Sequence, residues 1–183
     1  RSLLNAVFFF DLPQSDYNER QRAYHESCKN WAAAKILLAK NANYIGIELC
    51  HKLLKKAEKF DFTDLVMDIT RILRLHYVTR EGNIKKYELY NELFKQSEKS
   101  WGEENLAEEL YMELVLRYVN SQSILEETHS RAIEFYKQIE GPLAQNKSFR
   151  LHLCGMLIQQ VIHSSKYDWE GMIGLCEKSI QFF

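Results

Sequence analysis

Six histidines, His25, His51, His76, His129, His152 and His163, and four cysteines, Cys28, Cys50, Cys154 and Cys176, are the side chains here that could ligate a metal or drive a nucleophilic step. His25 and Cys28 stand at i, i+3, on one face of a helix. A zinc site needs three or four convergent ligands, and the chain carries neither HExxH nor CxxC. A cysteine–histidine nucleophile needs a thiolate, and a buried helical cysteine away from an electropositive helix N-terminus is ordinarily inert. No glycine-rich phosphate loop, GxSxG elbow or dinucleotide fingerprint occurs. The expectation is no catalytic residue, no metal and no cofactor, with the histidines and cysteines serving the core and its boundary.

The elements that carry these residues follow from composition. At 183 residues the chain is one ordinary domain by length, able to bury about 70 % of the surface its unfolded form exposes. Apolar residues make up 46 % and charged residues 27 %, the balance of a globular protein rather than a disordered one. Two prolines and seven glycines are too few for the many turns of a sandwich or barrel, so long helices are expected. With 24 basic and 25 acidic side chains, the footprint of a general nucleic-acid binder is missing. From Glu103 to Glu140, however, nine acids face three bases. That run is either a solvated acidic helix surface or a docking patch for a basic partner.

The four cysteines lie far apart and point to reduced, partly buried thiols, hence a cytoplasmic protein. The apolar start LLNAVFFF is too short to span a bilayer and lacks a basic leader and cleavage site, so no membrane association is expected. Arg1 at one end and IQFF at the other, with no helix-stop signal, point to a piece of a longer chain. Leu3, Leu4, Val7 and Phe8, together with Ile180, Phe182 and Phe183, make the apolar termini candidate interfaces for self-association.

Residues 48 to 60, ELCHKLLKKAEKF, are echoed by residues 88 to 100, ELYNELFKQSEKS. The echo extends along the chain. Leu65, Ile69, Leu73 and Tyr77 are matched by Leu106, Leu110, Leu114 and Tyr118, by Phe149, Leu153, Leu157 and Val161, and by Tyr24, Cys28, Ala32 and Ile36. A second set, Cys50, Leu53, Leu54 and Ala57, recurs as Tyr90, Leu93, Phe94 and Ser97, as Ala132, Phe135, Tyr136 and Ile139, and as Met172, Leu175, Cys176 and Ser179. Both sets have helical spacing. Punctuation between them predicts nine helices, near 2–11, 15–41, 43–60, 63–80, 83–100, 103–121, 125–140, 146–165 and 168–182, with Thr63, Asn83 and Asp168 as N-caps and Asp16 with Glu19 as a capping box. A period of 40 to 43 residues holding two helices predicts stacked helical hairpins in units near 15–60, 63–100, 103–140 and 146–183.

The order of apolar positions across 15–183 resembles a tetratricopeptide repeat in a long, forty-odd-residue form. Its small-residue positions hold Leu54, Phe94, Tyr136, Ile69 and Leu110 here, so the helices are expected farther apart, with HEAT-like packing as the alternative. The resemblance implies an all-α right-handed superhelix whose concave face binds a peptide or another protein's helix without catalysis. It also implies which residues line that face: Glu48, His51, Lys55 and Glu58, then Glu88, Asn91, Lys95 and Glu98, then Ser130, Ile133, Lys137 and Glu140. The lysine and glutamate rungs are either i, i+3 salt pairs on solvated helices or a mixed-charge groove for a polar peptide. Function is accordingly expected to be protein or peptide binding. The alternative is a ligand- or peptide-sensing regulatory domain of a longer signalling or transcription protein.

Overall fold

The computed structural model describes residues 18–120 and 125–182, and among them it holds seven helices and no strand. They are α1 (Glu19–Ala39), α2 (Asn43–Lys59), α3 (Thr63–Thr79), α4 (Ile84–Asn120), α5 (Leu125–Gln145), α6 (Phe149–Ser165) and α7 (Trp169–Phe182). The described part of the chain is all-helical, as its spacing predicts. The expected helix 2–11, with Leu3, Leu4, Val7 and Phe8, lies outside the described residues, as does Phe183.

Local chemistry explains most of the boundaries. Asn41, Asp61 and Tyr167 take positive φ just after α1, α2 and α6. Each is followed by an N–H that closes the helix end, Ala42 to the Leu37 carbonyl at 2.9 Å, Phe62 to Ala57 at 2.9 Å and Asp168 to His163 at 3.0 Å. Asn83 caps α4 by accepting from the Lys86 N–H at 3.1 Å, and Asp168 caps α7 by accepting from Gly171 at 3.0 Å. Two expected caps differ. Asn18 with Gln21 forms the capping box of α1, and Asp16 lies outside the described residues. Thr63 is the first residue of α3, behind an N-cap Phe62 that makes no side-chain cap bond.

The expected helices 83–100 and 103–121 are one helix, α4, so no hairpin forms there. Gly102, the expected break, is helical. One glycine costs a helix only about 1 kcal/mol, which the surrounding helix formers outweigh, and Lys99 reaches Glu103 across it at 3.7 Å. Pro142 likewise fails to end α5, which runs three residues past it. That last turn is useful to packing: Leu143 lies so close to Gly155 of α6 that a Cβ there would meet its methyl at 3.0 Å.

The chain divides into two compact units, Arg1–Glu98 and Lys99–Phe183, with the division inside α4. In the first, α1, α2 and α3 pack in succession across three-residue loops, and Tyr90 and Leu93 of α4 lie against their core. Leu65, Ile69, Leu73 and Tyr77 are all buried there, together with Cys50, Leu53, Leu54 and Ala57, as the repeat predicts. The face of α1 is displaced by one residue from the expected stripe. Ala23, Ser27, Trp31 and Ala34 are buried, whereas Ile36 is 56 % exposed. Small residues let α1 approach α2 closely, and an apolar-period argument gives them little weight.

In the second unit α5, α6 and α7 pack in succession, with Ala107, Leu110 and Leu114 of α4 in the same core as Ala132, Phe135 and Ile139. Leu106 stands at the surface, and α6 buries Leu151, Cys154 and Ile158 in place of the predicted Phe149, Leu153, Leu157 and Val161. Because the middle of α6, 153–158, has no polar residue, its sequence supports several stripes there, and the partner helices choose among them.

Candidate functional site

The stripe expected to form a groove separates into inner and outer members. His51 of α2 is half-buried, with Nε2 2.8 Å from the Tyr77 hydroxyl of α3 and Nδ1 3.2 Å from the Tyr90 hydroxyl of α4. The two tyrosine rings stack at 5.4 Å, and the Lys86 ammonium lies 4.3 Å over Tyr77. Burial first, then the charges of Lys86, His76 and Lys55, hold His51 below the usual imidazole range. Asn91 accepts from Arg74 of α3 at 3.1 Å, and the Arg74 guanidinium covers the Phe94 ring at 3.8 Å. His51 and Asn91 therefore tie helices together rather than offering free polar groups.

The outer members are open. Lys55, Glu58, Glu88, Lys95 and Glu98 in the first unit, and Lys137 and Glu140 in the second, are all exposed. Glu48 is exposed too, but bonded to Lys52 at 2.6 Å, which keeps its carboxyl below the ordinary carboxylate range. Among the described residues no ion pair joins Lys55 to Glu58, Lys95 to Glu98 or Lys137 to Glu140, so the i, i+3 pairing expected for a merely solvated ladder is not formed. Of the other two positions, Ser130 donates to the Glu126 carbonyl at 3.0 Å and Ile133 is half-buried.

The acidic run from Glu103 to Glu140 is largely spent within the second unit. Glu104, 1 % exposed, accepts from the Ser148 hydroxyl at 2.5 Å and lies 3.7 Å from Arg150, which also binds Glu108. Glu103 accepts from Asn146 at 2.7 Å, and Glu113 faces Arg117 at 2.9 Å and Arg131 at 3.7 Å. These contacts hold α4 against the start of α6 and against α5. Sequence reasoning missed Glu104 as a core group because its neighbours Glu103, Glu108 and Glu109 disguise it as surface. The signal was Ser148-x-Arg150 opening the next helix, an N-cap and a cation awaiting a carboxylate.

The chemistry-bearing residues are likewise occupied. Among the described residues no three of His, Cys, Asp and Glu gather as a metal site. Glu48/His51 and Glu126/His129 have the i, i+3 spacing of carboxylate–imidazole ligand pairs, but His51 bonds two tyrosines and His129 bonds the Ile162 carbonyl and the Ser165 hydroxyl. Burial pushes the Cys50 thiol up to about 11 and raises Cys28 and Cys154 as well, which disfavours their thiolates. An apolar cleft of about 260 Å³ lies between Tyr111, Leu114 and Val115 of α4 and Leu157, Gln160, Val161 and Ser164 of α6. It is smaller than the roughly 300–1,000 Å³ usual for small-molecule pockets. No described helix is long and apolar enough to cross a membrane. Compared with known proteins, the chain matches no family model, no curated protein and no solved structure.

Proposed function

We propose that this chain is a non-catalytic binding scaffold of tetratricopeptide-like kind, a right-handed array of helical hairpins whose exposed lysine and glutamate rungs read an extended polar segment of another protein. One observation carries the reading. In the first unit the equivalent helices α2 and α4 meet at His51 and Tyr90, and the rungs beside that contact, Lys55 with Glu58 and Lys95 with Glu98, are exposed and not paired within each rung. A ladder that is solvent decoration gains a few tenths of a kcal/mol by closing such pairs, whereas an open rung keeps its charges for a ligand. The inner partners, His51 on two tyrosines and Asn91 on Arg74, hold the helices that present it.

The test is binding of fluorescent extended peptides carrying regularly spaced Asp and Glu, against a scrambled neutral control. Lys55→Glu, Lys95→Glu and Lys137→Glu combined should leave helicity unchanged and weaken capture of the acidic peptide. The loss should shrink as salt rises, because exposed charges are screened within about 8 Å at physiological ionic strength. A triple variant that binds as the wild type does sinks the proposal.

A further inference from the structure

His51 lies in the α2 stripe proposed as a groove, between Glu48 and Lys55, yet each of its nitrogens already faces a tyrosine hydroxyl. What the ring can still bring to that surface is charge. A neutral imidazole accepts the proton of one tyrosine and gives its own to the other, whereas an imidazolium donates at both nitrogens, so both hydroxyl protons then need another acceptor. Tyr77 is 2 % exposed, which strands its proton and favours the neutral ring while the surface is empty. Tyr90 is half-buried, so its proton can be given to a group arriving from solvent.

Charges face the ring from all three helices. Lys55 stands one turn on along α2, exposed and outside every ion pair of the described residues. His76 acts from α3, and Lys86 acts from α4, one turn ahead of Tyr90 and with its ammonium 4.3 Å over the Tyr77 ring. Glu81, in the loop between α3 and α4, opposes them, but it is already shared by His76 at 3.2 Å and Lys86 at 3.8 Å. Glu58 acts on Tyr90 from the exposed rung. All of these groups belong to the first unit. With both histidines neutral, Lys55 and Lys86 balance Glu58 and Glu81; with His51 charged, the cluster is left short of one anion.

We propose that Lys55, Lys86 and Tyr90 seat one carboxylate of the bound acidic segment, and that His51 behind them takes up a proton from solvent as that carboxylate arrives. The carboxylate is the missing anion and the acceptor for the Tyr90 hydroxyl, whose proton stays on the tyrosine. The inference rests on the lysine-rung reading above and deepens it, by giving that site a pH dependence. Coupling is reciprocal: a ligand that favours the charged ring is favoured by the charged ring to the same extent. With the seat empty, burial and the lysines hold His51 below its usual 6.5, so at about pH 8 the ring is neutral with or without ligand. As the pH falls toward about 6 the occupied site protonates first, and binding tightens. A ring that only fastened the helices would give the opposite trend, because its protonation weakens the junction.

The experiment uses the whole chain and a fluorescent extended peptide with cysteic acid in place of Asp and Glu, so that the charge of the ligand stays fixed, read by anisotropy at about pH 8 and about pH 6. Wild-type binding should tighten about threefold or more at the lower pH. His51→Gln should show no tightening, and Lys86→Gln, outside the Lys55, Lys95 and Lys137 ladder, should weaken binding at both pH values. In an NMR titration of the wild type, the peptide should move the His51 pKa upward; should His51→Gln lose helicity, this titration decides. Wild-type binding that is equal or weaker at about pH 6 overturns the proposal, as does a His51 pKa that the peptide leaves in place or lowers, or a Lys86→Gln variant that binds as the wild type does. Tightening that persists in His51→Gln assigns the proton to His76 and overturns it as well. If the peptide binds at about pH 8 through the lysine ladder but without the proton, only this inference falls; if it binds at neither pH, the scaffold reading falls with it.

Discussion

His51 Nδ1 on α2 and Tyr90 Oη on α4 stand 3.2 Å apart, while Nε2 of the same ring reaches Tyr77 Oη on α3 at 2.8 Å. A neutral imidazole has one donor and one acceptor, so a single ring bonds both hydroxyls, giving to one and taking from the other. Three helices are joined at this point.

That geometry gives the chain a defined acid sensitivity. Burial, then Lys86, His76 and Lys55, lower the His51 pKa from 6.5, with Glu81 opposing. The folded protein therefore takes up this proton less readily than the unfolded chain. The His51 contribution is fully present above about pH 6.5 and is lost as the pH falls from there toward the folded-state pKa. Urea midpoints measured between about pH 5 and pH 8 should fall more steeply below pH 6.5 for the wild type than for His51→Asn. Parallel profiles would show that the histidine does not titrate with folding.

The register of α4 can be checked by two truncations. Leu110 is 7 % exposed and Leu106 37 %. Leu110→Ala should cost about 2–5 kcal/mol, as large-to-small changes in a core do, and Leu106→Ala should cost under about 1 kcal/mol. Similar losses at both sites would place the buried face between them.

Helical class, most loops and the buried faces of α2 and α3 were legible because polar and apolar residues alternate there with a clear period. Legibility failed where that contrast fades. On α1 the buried Ala23, Ser27 and Ala34 are too small to mark a face, and on α6 the stretch 153–158 has no polar residue to set one side apart. It failed again where a residue's type misstates its environment, as for Glu104 in the core and Gly102 inside a helix. The proposed groove stripe rests on spacing alone, and its division into inner and outer members could not be read there, because the burial of His51 and Asn91 depends on Tyr77, Tyr90 and Arg74, which are distant in sequence.

Ser148 carries two duties that one substitution removes. Its hydroxyl donates to the buried Glu104 carboxylate at 2.5 Å and accepts from the Leu151 N–H at 3.4 Å as N-cap of α6. Ser148→Ala should lose about 1 kcal/mol for the cap and a further 1–3 kcal/mol, roughly, for a buried acid deprived of a donor. Ser148→Thr keeps the hydroxyl and should recover much of the loss in thermal denaturation. If Ala and Thr are equally damaging, the effect is one of packing and the hydrogen bond to Glu104 is incidental.

Two glycines with opposite backbone demands decide whether α4 is continuous. Gly102 is helical and a Cβ added there meets nothing within 4 Å, whereas Gly82 has φ +61 in the loop between α3 and α4. Alanine at an exposed helical position removes unfolded-chain entropy and favours the helix, so Gly102→Ala should stabilise the protein by about 0.5–1 kcal/mol. The same change at Gly82 puts a Cβ in the left-handed region and should destabilise by about 1 kcal/mol. A break at Gly102, as the repeat alone predicts, would reverse the first sign, since a helix-ending glycine with positive φ resists alanine as Gly82 does. Denaturant midpoints for the two variants, measured beside the wild type, therefore read out the helix itself: one must rise and the other fall for Ile84–Asn120 to be a single helix.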